Sequence, residues 1–429
     1  MAETVDTARK QRRRLGGLLW HRNFRLLWFG ESISSVGNAM ASVGMPLLAV
    51  AVLHASTFAV SALSAAAYLP WLLIALPAGA WVDRLPARSV MIVCDLAAAV
   101  LFASVPLAAW AGVLSIGQVL VVALLAGTTS VFFSTAYVVY LPEIVSEADL
   151  MEGNAKLQGS QSVASISGSS LAGLVAEAVG VASALMFNAG SFLVSAACLL
   201  AVRPAQPPPK PPPRSTTIMA DIAAGLRFIW KDPLLRRLSI FPAAANLAYG
   251  GVLALVVLFL VRVHHFSPAV VGPLMAVSGI GGVAGALVAR RVGQLLGTAR
   301  ALLASVLVSG LSGLLIPLTA TGLRAIFFVI GSGLVSASIT AANITLVSFR
   351  QRYTPKPMLG RSTATQRFLT YGTAPLGALL AGALGTTLGV GSALWVLVAI
   401  FALSGTLLFC RPILAGRDLP SGPAAPDGQ

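Results

Sequence analysis

Three carboxylates stand inside long apolar stretches of this 429-residue chain: Glu31, Asp95 and Glu177. A charge in hydrocarbon costs roughly 2.5–3.5 kcal/mol on insertion scales, so an acid kept there usually has a task. The chemistry open to an isolated carboxyl is binding and releasing a proton, and Glu31 and Asp95 are the proton-coupling candidates. Glu31 leads a stripe, followed by Ser35, Asn38, Ser42 and Met45 at steps of four, three, four and three, which is one face of a helix. Gly30, Ser34, Gly37, Ala41 and Gly44 form an adjoining small-residue face. The pattern predicts a helix with a polar face toward a cavity and a small face against a neighbour. Asp95 has a second reading, an ion pair with Arg84 or Arg88 at an inner gate. Glu177 falls near the end of its stretch and reads as solvated.

Uncharged polar groups mark other apolar stretches: Tyr137 with Thr128 and Ser134; Asn246 and Tyr249; Ser336, Thr340 and Asn343 with Ser332. Together with Ser35 and Asn38 they predict a substrate cavity that is polar but uncharged. For each residue alone, hydrogen bonding between helices is an equal reading.

The elements that must position these groups are membrane spans. The chain is 57% hydrophobic and 10% charged, with a mean hydropathy of +0.85, whereas soluble domains carry about 25% charged residues. Twelve apolar segments have the length of roughly 20 residues that spans hydrocarbon. They are continuously apolar rather than alternating, so they predict helices. The fifth and eleventh, around 157–179 and 364–385, are rich in Ser and Gly, as suits helices packed within a bundle.

Two landmarks recur at one spacing. AGLVAEAVGVASAL from residue 172 returns as AGALGTTLGVGSAL from residue 381, and GAWVDR from 79 returns as GALVAR from 285. The chain therefore reads as an all-α integral membrane protein of two pseudo-symmetric six-helix lobes, with any substrate site between them. The expected organisation is a basic N-terminus (1–25), a first lobe (26–202), a linker (203–237), a second lobe (238–410) and a tail (411–429). PPPKPPP at 207–213 predicts stiff polyproline II. After it, Ile222, Leu226, Ile229 and Trp230 share a face beside Arg227 and Lys231, which predicts a short amphipathic helix on the membrane surface. The Pro- and Gly-containing tail predicts disorder.

The net charge of +15 could suggest nucleic acid, but its placement argues against that. With both termini cytoplasmic, 27 of the 29 Lys and Arg fall in inner segments, and only Arg262 and Arg324 fall outside. That bias supports an even number of spans in the inner (plasma) membrane, and the basic N-terminus is placed to meet anionic lipid.

Several absences matter. No GxxxxGK[ST] suggests an ATP-driven pump, and no HExxH or clustered histidines suggest a metal. No nucleophile–base constellation suggests an enzyme, and nothing calls for a cofactor. Cys94, Cys198 and Cys410 lie in apolar segments and read as packing residues. Gly279-Ile280-Gly281-Gly282-Val283-Ala284 loosely matches a dinucleotide fingerprint, but no strand precedes it. Gly281 and Gly285 instead predict close helix packing. His264 and His265 read as an outer loop pair.

Between the second and third spans the chain reads Gly79-Ala80-Trp81-Val82-Asp83-Arg84-Leu85-Pro86-Ala87-Arg88. This resembles the G-x-x-x-D-R-x-G-R-[KR] loop of the major facilitator superfamily. Gly79, Asp83, Arg84 and Arg88 match, and Pro86 and Ala87 depart. FRLLWFGESISSVGN from Phe24, LPEIV at 141–145, MEGNAKL at 151–157, GLRFIWKDPLLR at 225–236 and the stretch 354–382 further resemble the drug–proton antiporter branch that holds macrolide efflux proteins and the enterobactin exporter. The resemblance implies a twelve-helix major facilitator fold working by alternating access. It implies a cytoplasmic gate at Gly79, Asp83, Arg84 and Arg88, and a mainly monomeric protein. That branch often has acids where Asn38 and Asn188 stand, which shifts the coupling role to Glu31 and Asp95.

The expected function is efflux of amphipathic or hydrophobic small molecules, such as antibiotics or secondary metabolites, in exchange for protons. The expected partners are that substrate, protons and membrane lipids. A lipid or lysolipid translocator on the same fold is the nearer alternative. A non-transporting receptor or scaffold is the alternative of another class.

Overall fold

The computed structural model describes residues 17–82, 85–145, 149–203, 218–409 and 411–420. The first lobe contains α1 (Arg22–Leu47), α2 (Thr57–Leu73), α3 (Ala75–Val82), α4 (Ala87–Trp110), α5 (Ile116–Ile144), α6 (Leu150–Val179) and α7 (Val181–Ala201). A surface helix, α8 (Ile218–Lys231), follows. The second lobe contains α9 (Pro233–Leu258), α10 (Pro268–Leu296), α11 (Thr298–Gly313), α12 (Ala325–Tyr353), α13 (Lys356–Thr387) and α14 (Val390–Ser404), before a short α15 (Arg411–Leu414). Among the described residues, eleven helical stretches are long and apolar enough to cross a membrane. The expected second span is divided. α2 is apolar but shorter, and the chain breaks at Ile74, one turn before Pro77, before resuming as α3. A proline inside a helix removes a backbone donor and crowds the preceding turn.

The sequence repeat is a structural repeat. Gly180 (φ 90°, ψ 151°) joins α6 to α7, and Gly389 (φ 82°, ψ 155°) joins α13 to α14. Both hold a left-side backbone conformation that only glycine adopts without strain. A second correspondence is marked in the residues only by V-x-V-x-H at 50–54 and 261–265. α1 ends in a π-turn at Leu48–Val52 and α9 in one at Phe259–Val263. Each is followed by a histidine with positive φ, His54 at 48° and His265 at 53°. His264 stacks edge-on against Phe259 at 4.6 Å. Partial burial and the neighbouring His265 push its pKa down.

Small residues set the lobe packing. The small face of α1 lies on α7, with Gly30 against Ser195 and Cys198, Gly37 against Asn188 and Ser191, and Gly44 against Leu185. A side chain on Gly281 would collide with the Gly333 carbonyl, and one on Gly285 with the Ala337 carbonyl, both across the α10–α12 contact. The two glycines do allow close helix packing. α6 and α13, the Ser- and Gly-rich helices, carry the contacts between lobes: α6 packs on α10, and α13 on α2.

The tail differs from expectation. Gly297 precedes α11 and offers no side-chain cap. The Asp418 carboxylate supplies one from the far end of the chain, accepting from Thr298 N–H at 2.8 Å. Ala299 N–H donates to the Arg417 carbonyl at 3.1 Å, and Ile413 and Leu419 are buried. The composition of 411–420 is loop-like, but the uncapped helix and the apolar side chains fix it in place.

Candidate functional site

Buried apolar residues are divided unequally along the molecule. Toward the end opposite the linker and tail, which the proposed topology makes the outer end, one cluster runs through both lobes, joining Ala172, Ala176 and Leu185 to Val252, Val271 and Ala381. Toward the end that holds the linker and tail, each lobe has its own cluster. Phe24, Met91 and Leu199 belong to the first lobe, and Leu235, Phe349 and Ile413 to the second. The lobes are therefore fused outside and separate inside.

Backbone-level contacts close the outer end. Gly173 of α6 and Gly272 of α10 lie so close that a Cβ on either would meet the other's main chain. Gly382 and Gly385 of α13 pack on Phe58, Ser61 and Thr57 of α2. Two side chains complete the closure. Glu177 Oε2 accepts from Ala269 N–H at 2.9 Å, and Arg262 Nη2 donates to the Ala55 carbonyl at 2.5 Å. Both bonds cross from one lobe to the other. Glu177 remains exposed, as expected for a solvated edge, but it also caps α10.

Within the first lobe, α1, α4, α5 and α7 bring together a polar cluster. Asp95 is 1% exposed. Ser195 of α7 is its polar neighbour, and the Glu31 charge acts on it. That charge also acts on Tyr137. Glu31 Oε2 and Asp95 Oδ2 are shielded from solvent with no hydrogen-bond partner. Asn188 is fully buried and its Oδ1 accepts from the Ser191 hydroxyl at 3.2 Å. Two ionised carboxyls in one buried cluster repel, and a proton on either relieves that repulsion.

In this structure Arg88 does not pair with Asp95. That guanidinium donates to the Leu199 and Leu200 carbonyls, each at 2.9 Å, so it caps the end of α7 and ties α4 to it. Gly79 lies in α3, and Asp83 and Arg84 lie outside the described residues.

The cavity candidates divide. Asn38, Ser42 and Asn343 are exposed and Ser35 is half-buried. Tyr137 is half-buried and stacks on Phe133. Asn246 is spent on packing, its amide donating to the Thr370 carbonyl at 2.5 Å. Tyr249 lies against Phe401, with ring centroids 5.5 Å apart. Ser336 and Thr340 face Gly282 across the α10–α12 contact. Sequence reasoning missed a ring pair across the lobes, Trp71 and Tyr371, with centroids 5.4 Å apart. Nothing in the residues marks such a pair until the fold sets α2 against α13.

A two-lobed helical bundle with its outer end closed and buried carboxyls in one lobe defines a membrane transporter. Residues 27–375 match the family model of the Major Facilitator Superfamily, and the chain belongs to that family. It is 28% identical over 414 residues to the multidrug efflux pump Tap of Mycolicibacterium fortuitum, covering 93% of this chain and 98% of that one. The fold is similar to the nucleoside transporter NupG (TM-score 0.72, 13% identity, 90% of this chain and 97% of that one). It is also similar to a bacterial homologue of the iron transporter ferroportin in its inward-facing state (TM-score 0.72, 15% identity, 90% and 98%).

Proposed function

We propose that the protein exports amphipathic, mainly hydrophobic small molecules in exchange for protons, with Glu31 and Asp95 as the proton site. The observation that carries this reading is the pair of carboxyls on α1 and α4, each with a shielded, unpartnered oxygen. A transporter with no coupling ion has no use for two such groups in hydrocarbon. The fused outer end and separate inner ends support an inward-facing state, with the linker and both termini on the cytoplasmic side. In that state substrate enters between the lobes past Asn38, Ser42 and Asn343. The scarcity of charge on this path favours a bulky apolar substrate, and the multidrug efflux name of the Tap relative points the same way.

Alternating access then requires the outer bonds at Glu177 and Arg262 to break as the inner ends close. Proton binding at the Glu31–Asp95 pair removes a repulsion within the first lobe and so biases one packing of α1 against α4 and α7. One charge crossing 100 mV is worth about 2.3 kcal/mol, enough to drive a more than tenfold substrate gradient.

The test is proton flux in liposomes containing the purified protein, with an imposed pH gradient, a pH dye inside and a panel of amphipathic antibiotics. Glu31→Gln and Asp95→Asn are run alongside. Substrate-dependent flux that is lost in either variant supports the reading. Flux retained in both, or absent with every compound in folded wild-type protein, overturns it.

A further inference from the structure

At the inner edge of the first lobe lies a cleft of about 290 Å³ lined by His21, Arg22, Asn23, Ile144 and Arg203. Its charge is one-sided, with two guanidiniums, one imidazole and no acid in the lining. Glu143, beside Ile144 on α5, acts instead on Tyr140, as does Arg88. Neither Arg22 nor Arg203 forms an ion pair among the described residues.

The cleft is built rather than accidental. Asn23 holds the Arg203 backbone from both sides, its Nδ2 donating to the carbonyl at 3.2 Å and its Oδ1 accepting from the N–H at 3.2 Å. These bonds pin the start of α1 to the end of α7, 180 residues away. They bring Arg22 and Arg203 to the lining of one cleft. His21 begins α1 without capping it through its side chain. The positive end of the helix dipole therefore adds to the arginines instead of being neutralised.

The cleft also sits where a lipid headgroup would be. Phe24 and Leu27 enter the inner core of the lobe, whereas Trp20 (62% exposed) and Phe29 (49% exposed) face outward above and below Arg22. Exposed aromatics beside basic residues at the start of a span are interfacial anchors. Guanidiniums are suited to paired hydrogen bonds with phosphate oxygens.

We infer that this cleft binds the phosphate headgroup of an anionic phospholipid from the leaflet on the side of the chain termini. The lipid bridges α1, α5 and α7, so it joins the helix that bears Glu31 to the helix that bears Ser195. This inference rests on the membrane placement given above and does not require proton coupling.

The experiment is native mass spectrometry of the delipidated full-length protein titrated with phosphatidylglycerol. Phosphatidylcholine and inorganic phosphate are separate arms. Each arginine near a membrane surface contributes about 1 kcal/mol toward anionic lipid, which is about a fivefold weakening for Arg22→Gln or Arg203→Gln and more for the double variant. Arg22→Lys with Arg203→Lys should keep most of the binding, which separates charge from fold. Equal affinity in wild type and the double Gln variant overturns the site. So does phosphatidylcholine binding as tightly as phosphatidylglycerol. Inorganic phosphate binding as tightly as the lipid overturns the lipid assignment. No arm measures transport, so failure of the coupling reading leaves these outcomes intact.

Discussion

The Glu177 carboxylate of α6 accepts a hydrogen bond from the Ala269 main-chain N–H in the first turn of α10, so an acid from one lobe caps a helix of the other. Arg262 makes the converse contact, donating from the second lobe to the Ala55 carbonyl in the first. Hydrogen bonds to charged groups contribute about 1.5–3 kcal/mol, and the helix-dipole part of the Glu177 contact about 0.3–1 kcal/mol. Arg262→Met and Glu177→Ala should therefore shift the protein toward an outward-open state. A cysteine at Ser61, fully buried at the outer α2–α13 contact, would report it. Maleimide labelling from outside should rise several-fold in each variant, and labelling no faster than in the parent would refute the latch.

Glycines in the same helix should differ sharply in tolerance. Gly285 faces the Ala337 backbone, which cannot move aside, while Gly293 has nothing within 4 Å. Overpacking a tight contact costs about 1–3 kcal/mol or more. Gly→Ala in an open helical position is favourable by about 0.4–1 kcal/mol. Gly285→Ala should lower the thermal midpoint in detergent and Gly293→Ala should hold or raise it. Equal midpoints would show that the α10–α12 contact is slack.

Gly180 and Gly389 have open space where a side chain would go, so any effect there is purely backbone. Positive φ with extended ψ is essentially a glycine-only conformation and costs another residue about 1–3 kcal/mol. Gly180→Ala and Gly389→Ala should each destabilise by that amount, and by similar amounts, because the two junctions share their dihedrals. Circular dichroism melts of the two variants would check both the size and the match.

Asp418 predicts a pH effect confined to the inner end. The Thr298 backbone hydrogen bond holds its pKa below the usual carboxylate range. A depressed folded-state pKa adds stability above the unfolded value, and that stability is lost as pH falls through the folded one. Asp418→Asn should therefore be less stable than the parent near neutral pH, with the gap closing in acid. Proteolytic release of the tail, measured from pH 7 down to pH 3, is the readout. A gap that does not change with pH would show that the cap is not ionic.

Much of the fold was legible because hydrocarbon leaves helices as the one form available to long apolar runs. The two lobes were legible in the repeat around Gly180 and Gly389. The matching π-turns before His54 and His265 were not, because LAVAVLH and FLVRVHH share only Val50/Val261, Val52/Val263 and His54/His265, a pattern that does not by itself specify a π-turn. At the site, Glu31 and Asp95 stood out by cost alone, while their common neighbours Ser195 and Tyr137 needed the packing of α7 and α5. The contact of Arg88 with two carbonyls at the end of α7 was not legible, because the motif carries no information on which backbone its guanidinium meets in this state. Glu177 and Asp418 share a further blind spot. A side chain that caps a helix more than 90 residues away leaves no local trace.

The carboxyl pair belongs wholly to the first lobe, and the spans of the second contain no acid at all. Duplication gave two similar halves, and the halves have since divided the labour. On the proposed coupling, the first lobe meets the electrochemical gradient and the second serves as the lever against which it works. A chimera that exchanged second lobes between relatives would keep its energy source and change what it carries.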